Sequence, residues 1–220
     1  MNPFRYDSKP MQIMASVADM MLLNLCWLLS SIPVVTIGIA TTAVYSILGQ
    51  NERKEGAGIV KRFFAVWKKE WRTATAFWLL QLVVTALLVF NILFFGSNAF
   101  GLLGELVKWF SIFAIVILCA WSVMIYPQIG RYRNTFLGYL KNGLLIMAGN
   151  FWRCVLVLIL MALPVIIFMV FLEYFLKTGV IWIMFGFSFL FWLSNKLIMP
   201  AFEPLEDLAQ KMESGHRLGD

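Results

Sequence analysis

The sequence predicts an all-α, polytopic transmembrane helical bundle of about five spans with two cytoplasmic interfacial helices, and three observations carry that prediction. Of the 220 residues, 61% are apolar and 14% are charged, with a mean hydropathy of +0.80, which is far outside the soluble norm. Every Lys, Arg, Asp and Glu falls outside five uninterrupted stretches, 20–51, 73–104, 109–130, 154–172 and 178–195. Each stretch can hold the roughly 20 residues needed to cross ~30 Å of hydrocarbon. The basic residues gather in two loops. Residues 51–72 carry seven Lys and Arg against three Glu, and 128–153 carry Arg131, Arg133, Lys141 and Arg153 with no acid. Counted in short loops, this asymmetry places both in the cytoplasm and the two turns around 105–108 and 173–177 outside.

Taken in order, the first helix is expected over 10–32, started by Ser8 and Pro10. Gln12, Ser16, Asp19, Cys26 and Ser30 share one face at a 3.6-residue period. That face should point into protein, because lipid offers no hydrogen-bond partner. Pro33 then breaks the pattern. Residues 33–50 are either a kinked continuation into the interface, or a re-entrant segment or second crossing that brings the N-terminus inside; five spans with the N-terminus outside is the reading adopted. The segment is read as a permanent anchor rather than a cleaved leader.

Over 57–72 the apolar Ile59, Phe63, Trp67 and Trp71 recur every four residues among Lys61, Arg62, Lys68, Lys69 and Arg72, the pattern of a helix lying on a membrane surface. The second span covers 73–95, and an outside turn covers 96–108. The third span covers 109–127, ended by Pro127. A second interfacial helix is expected over 131–149, a fourth span over 151–175 with a kink at Pro164, and a fifth over 180–199. Residues 1–199 thus form one transmembrane domain, and 200–220 an acidic, partly helical cytoplasmic tail.

An internal repeat emerges when the prolines are aligned. Trp27 lies six residues before Pro33 and Trp121 six before Pro127; Tyr45 lies twelve after Pro33 and Tyr139 twelve after Pro127. Each unit ends in Trp-Arg, at Trp71-Arg72 and Trp152-Arg153, before another span begins. The two units have the same orientation, as in a parallel repeat.

Chemistry is sparse. Catalysis requires a nucleophile with its base, paired carboxylates or a metal cluster, and the one histidine is His216 in the tail. No nucleotide-binding or metalloprotease signature occurs. Cys26, Cys119 and Cys154 lie on separate apolar segments with no neighbouring His, so no metal, cofactor or disulfide framework is expected. The basic balance is topological, with attraction to membrane lipid and no nucleic-acid role. Asp19 is the single acid within a span, read first as a helix-packing acid bonded to a neighbouring helix and second as a coupling site. Asn24 and Gln81, with Thr85, Asn91, Ser122, Ser188 and Asn195, are read as interhelical hydrogen-bonding groups before sugar-lining ones. Trp71, Trp109, Trp152 and Trp182 have the distribution of interfacial anchors.

Asp19-Met-Met-Leu-Leu-Asn24-Leu-Cys-Trp27-Leu-Leu-Ser-Ser-Ile-Pro33-Val-Val-Thr36-Ile-Gly38, followed by Ala43-Val-Tyr45, resembles the amino-terminal signature of the YesL-like family of small bacterial membrane proteins of unknown function. The likeness continues in Phe63-Phe64 through Trp71, in Tyr126-Pro127 with Arg131-Tyr132, and in Lys141-Asn142-Gly143-Leu144-Leu145. Ile39 stands where many members carry a second proline, which leaves the geometry after Gly38 open. The resemblance implies a protein of the bacterial cytoplasmic membrane, frequently encoded beside carbohydrate ABC-transporter components, and supplies no catalytic residue. The expectation is therefore a non-enzymatic accessory or assembly subunit of a carbohydrate uptake system. Lys68, Arg72, Arg131 and Arg133 are its candidate docking residues for a permease subunit. The alternatives are an independent small-molecule carrier acting as a homo-oligomer, or a membrane-bound regulator.

Overall fold

In a computed structural model, which describes residues 9–49, 58–95 and 101–216, the apolar runs become helices because hydrocarbon leaves no other partner for backbone N–H and C=O groups. The elements are α1 (Lys9–Ser31), a 3-10 turn (Val34–Thr36), α2 (Ile37–Gly49), α3 (Ile59–Phe95), α4 (Gly101–Arg131), α5 (Phe136–Gly149), α6 (Phe151–Val170), α7 (Leu172–Lys177), α8 (Gly179–Ile181), a π-helical stretch (Trp182–Gly186) and α9 (Phe187–His216). No strand occurs among the described residues. Five helical stretches are long and apolar enough to cross a bilayer: Met14–Ser31, Ile59–Phe95, Gly101–Arg131, Phe151–Val170 and Gly179–Pro204. The chain is a multi-pass membrane protein.

The 33–50 segment resolves as the short helix α2, too short for a crossing at 13 residues. Pro33 is extended at ψ 118°, which ends α1, and the Thr36 hydroxyl closes the turn by donating to Ser30 O at 2.6 Å and Pro33 O at 2.8 Å. Ile39 is fully buried within α2, so the chain continues as helix straight after Gly38. Gly38 sits so close to α3 that a Cβ there would lie 2.5 Å from Trp78 Cβ and 3.0 Å from Ala74 O. At the other end of α2, Gly130 of α4 lies against Thr42 O and Ser46. α2 therefore packs lengthwise between α3 and α4, and nine of its residues are buried.

Several expected boundaries change. The 57–72 segment is no separate surface helix: from Ile59 it forms the first four turns of a single 37-residue α3. No Gly or Pro interrupts 59–95, so nothing in the backbone stops the helix where the surroundings change. At 1.5 Å per residue α3 is about 55 Å long, roughly 25 Å more than the hydrocarbon it crosses. Pro127 does not end the third span, because α4 runs on to Arg131 with Pro127 buried inside it. Packing on α2 and α3 outweighs the lost backbone bond. Arg131 is therefore the last residue of α4, and the second short helix begins only at Phe136, capped by the Thr135 hydroxyl accepting from Gly138 N. The third span starts earlier than expected, at Gly101. The fourth ends at Val170, with Pro164 inside it and α7 following separately. Ser8, residues 50–57 and the turn at 96–100 lie outside the described residues.

The internal repeat reappears as two successive long–short–long units, α1–α2–α3 and α4–α5–α6. In each, the tryptophan of the first long helix bonds to the short one: Trp27 Nε1 donates to Thr41 Oγ1 at 3.3 Å and Trp121 Nε1 to Leu140 O at 3.1 Å. Tyr45 and Tyr139 are buried on the two short helices.

Candidate functional site at the basic end

The ends of α2 and α4, the start of α5 and the middle of α9 converge on Arg131. Its Nη2 donates to Asn195 Oδ1 at 2.8 Å, and Asn195 Nδ2 donates to Leu48 O at 3.2 Å. The guanidinium also lies over the Phe202 ring at 5.5 Å, with Tyr132 stacked on the same ring at 6.2 Å. Ser46 Oγ donates to Gly130 O at 2.9 Å. Tyr139 takes the Asn134 N–H at 3.0 Å and donates to Tyr132 O at 2.6 Å, bracing the 132–135 connection. Arg131 thus joins α4 to α9 directly and to α2 through the Asn195 amide. Burial pushes the Tyr45 hydroxyl up to about 12 and raises that of Tyr139, so both phenols serve as neutral hydrogen-bonding groups.

Five other cations of the basic segments face outward. Lys61, Lys68 and Arg72 on α3, Arg133 before α5 and Lys141 on α5 are all exposed. Arg72 lies over Trp71 at 5.5 Å, and Lys69 pairs with Glu70 at 3.0 Å. Of the four expected docking residues, Lys68, Arg72 and Arg133 are on the surface, whereas Arg131 is half-buried in the hub. The sequence marked Arg131 by its charge alone; its signal as a structural residue was its place one turn past a proline, opposite the isolated amide Asn195 at the end of the last apolar run.

Asn24 and Gln81 are hydrogen-bonded within the bundle, whereas the buried Ser111 and Ser188 hydroxyls have no hydrogen-bond partner among the described residues. Asn24, fully buried, donates to Trp182 O at 3.1 Å and Ile183 O at 2.5 Å and accepts from Ser188 N at 2.8 Å. It thereby occupies backbone groups at the π-helical stretch, where the regular helical bonding pattern changes. Trp182 belongs to that stretch and packs on Phe187 at 6.0 Å, in contrast to the exposed Trp71, Trp109 and Trp152. Gln81 Oε1 accepts from Tyr126 OH at 3.0 Å. Asp19 differs: it is half-buried and has no hydrogen bond or ion pair among the described residues. The polar face expected to point inward does so at Cys26, but Ser16 is exposed. All three cysteines are free, and no cluster of metal-ligating side chains occurs among the described residues.

Residues 20–92, which run from α1 through α2 into α3, match the family model described as "Protein of unknown function, DUF624". The match bears out the resemblance to the YesL-like proteins, a DUF624 family of unknown function, and it coincides with the first long–short–long unit. No curated protein and no solved structure matches the chain.

Proposed function

We propose that this DUF624-containing protein is a non-catalytic accessory or assembly subunit of a bacterial carbohydrate uptake system of the ABC type. It sits in the cytoplasmic membrane with its basic end in the cytoplasm, as the positive-inside bias of 51–72 and 128–153 favours. The observation that carries the reading is the basic end itself: a hydrogen-bonded hub inside, with Lys61, Lys68, Arg72, Arg133 and Lys141 exposed around it. Such a platform suits a partner with an acidic surface. Asn24 and Gln81 are occupied by internal bonds, which favours a packed subunit over an independent carrier. The family resemblance supplies the link to carbohydrate uptake.

Affinity purification from the native membrane in mild detergent tests this. Permease subunits should co-isolate in fixed proportion, and Lys68→Glu with Arg72→Glu should release them while the protein stays inserted. Sugar flux into liposomes holding this protein alone would instead establish the carrier. Recovery of a soluble kinase or regulator without permease would establish the membrane-bound regulator.

A further inference from the structure

The first four turns of α3 carry two stripes side by side. On the helical wheel Val60, Phe64, Trp67 and Trp71 fall within about 60° of one another, and Lys61, Lys68 and Arg72 occupy the next sector round the same helix. Phe63, Ala74, Phe77 and Gln81, which α3 buries against the bundle, lie on the other side. Val60, Phe64 and Trp71 are 40%, 42% and 46% exposed, so the apolar stripe is open. Its spacing of four, three and four residues is that of a coiled-coil seam. Lipid reaches only one end of it. Val60 and Phe64 stand about 18 and 12 Å beyond Arg72 along the axis, whereas head groups extend only about 5–8 Å beyond the hydrocarbon.

The chain itself holds a segment that matches this seam. α9 continues as helix through His216 and leaves the bundle at the basic end, where Arg131 lies over Phe202. At helical spacing Leu205, Leu208 and Met212 fall within about 60° of one another, with Glu206 and Glu213 seven residues apart along one flank. Lys61 and Lys68 are likewise seven residues apart along one flank of α3. Here α3 runs toward the bilayer and α9 runs away from it, so the two segments meet antiparallel. In that orientation the two charged flanks face each other. The register that stacks Leu205 on Trp67, Leu208 on Phe64 and Met212 on Val60 also puts Glu206 within a turn of Lys68 and Glu213 within a turn of Lys61.

We infer that the protein forms a two-fold dimer in which residues 205–212 of each copy pack antiparallel along 60–71 of the other. The occupant is a second copy because α2 stands between α3 and α9 within one chain. The end of α9 also keeps its course as a continuous helix to His216 and does not fold back onto its own α3. The two contacts are equivalent by symmetry, and once one forms the other closes at high effective concentration. Arg72, Arg133 and Lys141 stay outside the seam, open to the acidic partner proposed above. The dimer needs no permease, so either reading can fail while the other stands.

The test uses the full chain alone in phosphatidylcholine vesicles, with donor- and acceptor-labelled copies and energy transfer between them as the measure of pairing. The unaltered protein should pair one to one. Lys61→Glu with Lys68→Glu should weaken pairing about tenfold or more, since like charges then face each other, and Glu206→Lys with Glu213→Lys should do the same. Mixing these two variants should restore it, because both contacts of the mixed dimer again join opposite charges. Loss in each variant without rescue on mixing overturns the inference, in favour of a contact within one copy. Pairing that neither variant weakens places the interface elsewhere and also overturns it, as does a monomeric unaltered protein. A measurement that reverses no charge guards against a misfolded variant: oxidation should join Phe64→Cys on one tagged copy to Leu208→Cys on a differently tagged one. The absence of that mixed disulfide overturns the inference as well.

Discussion

The two ends of the bundle are built differently. At the basic end α2 is enclosed by α1, α3, α4 and α9, and Ile39, Ala40, Ala43 and Val44 are fully buried. At the far end the spans largely face outward: Leu102 is 79% exposed and Met169 78%. Lipid tails are as apolar as leucine, so burying one span against another gains little there, and association rests on packing and hydrogen bonds. Beyond the bilayer, water restores the hydrophobic driving force. In the first four turns of α3 Phe63 alone is buried, whereas α2 and the end of α4 carry long runs of buried residues. The core is densest along α2 and the end of α4 and continues into the spans at Leu23, Phe77, Met124 and Val157.

If that contrast is right, the largest loss should come from the hub. Arg131→Ala should cost about 3 kcal/mol, because it removes a charged hydrogen bond to Asn195, the contact with Phe202 and the filling against Gly49. Arg133→Ala, on an exposed cation next to it, should stay within about 0.5 kcal/mol. Denaturant titration of the purified protein in mild detergent, read by tryptophan fluorescence, separates them. Equal losses would mean that the hub is no anchor.

Tyr45 sharpens the same point through pH. Its hydroxyl is raised by burial from 10 to about 12, so the folded state favours the neutral phenol. The stability this contributes is present below pH 10 and declines as pH rises toward about 12, by on the order of 1 kcal/mol per pH unit. Tyr45→Phe should flatten the alkaline limb of the stability profile over that window. An unchanged limb would place Tyr45 in contact with water.

Close approach is the third device. Gly38→Leu forces α2 away from Trp78 and Ala74 and should cost about 2 kcal/mol. Gly149→Leu, at a glycine with open space around it, should cost far less. Thermal unfolding of the two variants in one detergent decides between an interlocked α2 and a loosely held one.

How much of this could be read from residues alone follows the same division. Span number was legible, since hydrocarbon enforces long uncharged runs. So was bonding of Asn24 and Gln81, because a buried amide in a span must find a partner. The boundaries at Arg72 and Pro127 were misplaced for opposite reasons. At Arg72 the surroundings change while the backbone does not, and a change of polarity was read as a break. At Pro127 the backbone carries a helix breaker, and tertiary packing on α2 overrides it. Arg131 and Arg133 carry the same charge two residues apart, and nothing local says which one turns inward. Neighbours from 48 and 195 decide that, and such long-range pairings leave no periodic trace.

The smallest expected effect lies in the membrane-level half, and it is the one that most directly separates the two regions. Tyr126→Phe deletes the hydroxyl that donates to Gln81 Oε1 at 3.0 Å and leaves the ring, which meets Phe77 edge-on at 5.6 Å, in place. In water-excluded protein an orphaned amide oxygen costs about 1–3 kcal/mol. Between spanning helices measured polar contacts average only about 0.6 kcal/mol, because the separated helices also find partners. Gln81 is on the third turn past Arg72, on the lipid side of the boundary, so the lower figure applies. Gln81→Leu paired with Tyr126→Phe should then be nearly neutral, since both polar ends leave together. A double-mutant cycle giving a coupling near about 0.6 kcal/mol supports a pair that acts as an ordinary contact between spanning helices. A coupling several times larger would show that this buried pair behaves as a water-excluded hydrogen bond whose loss leaves an orphaned amide.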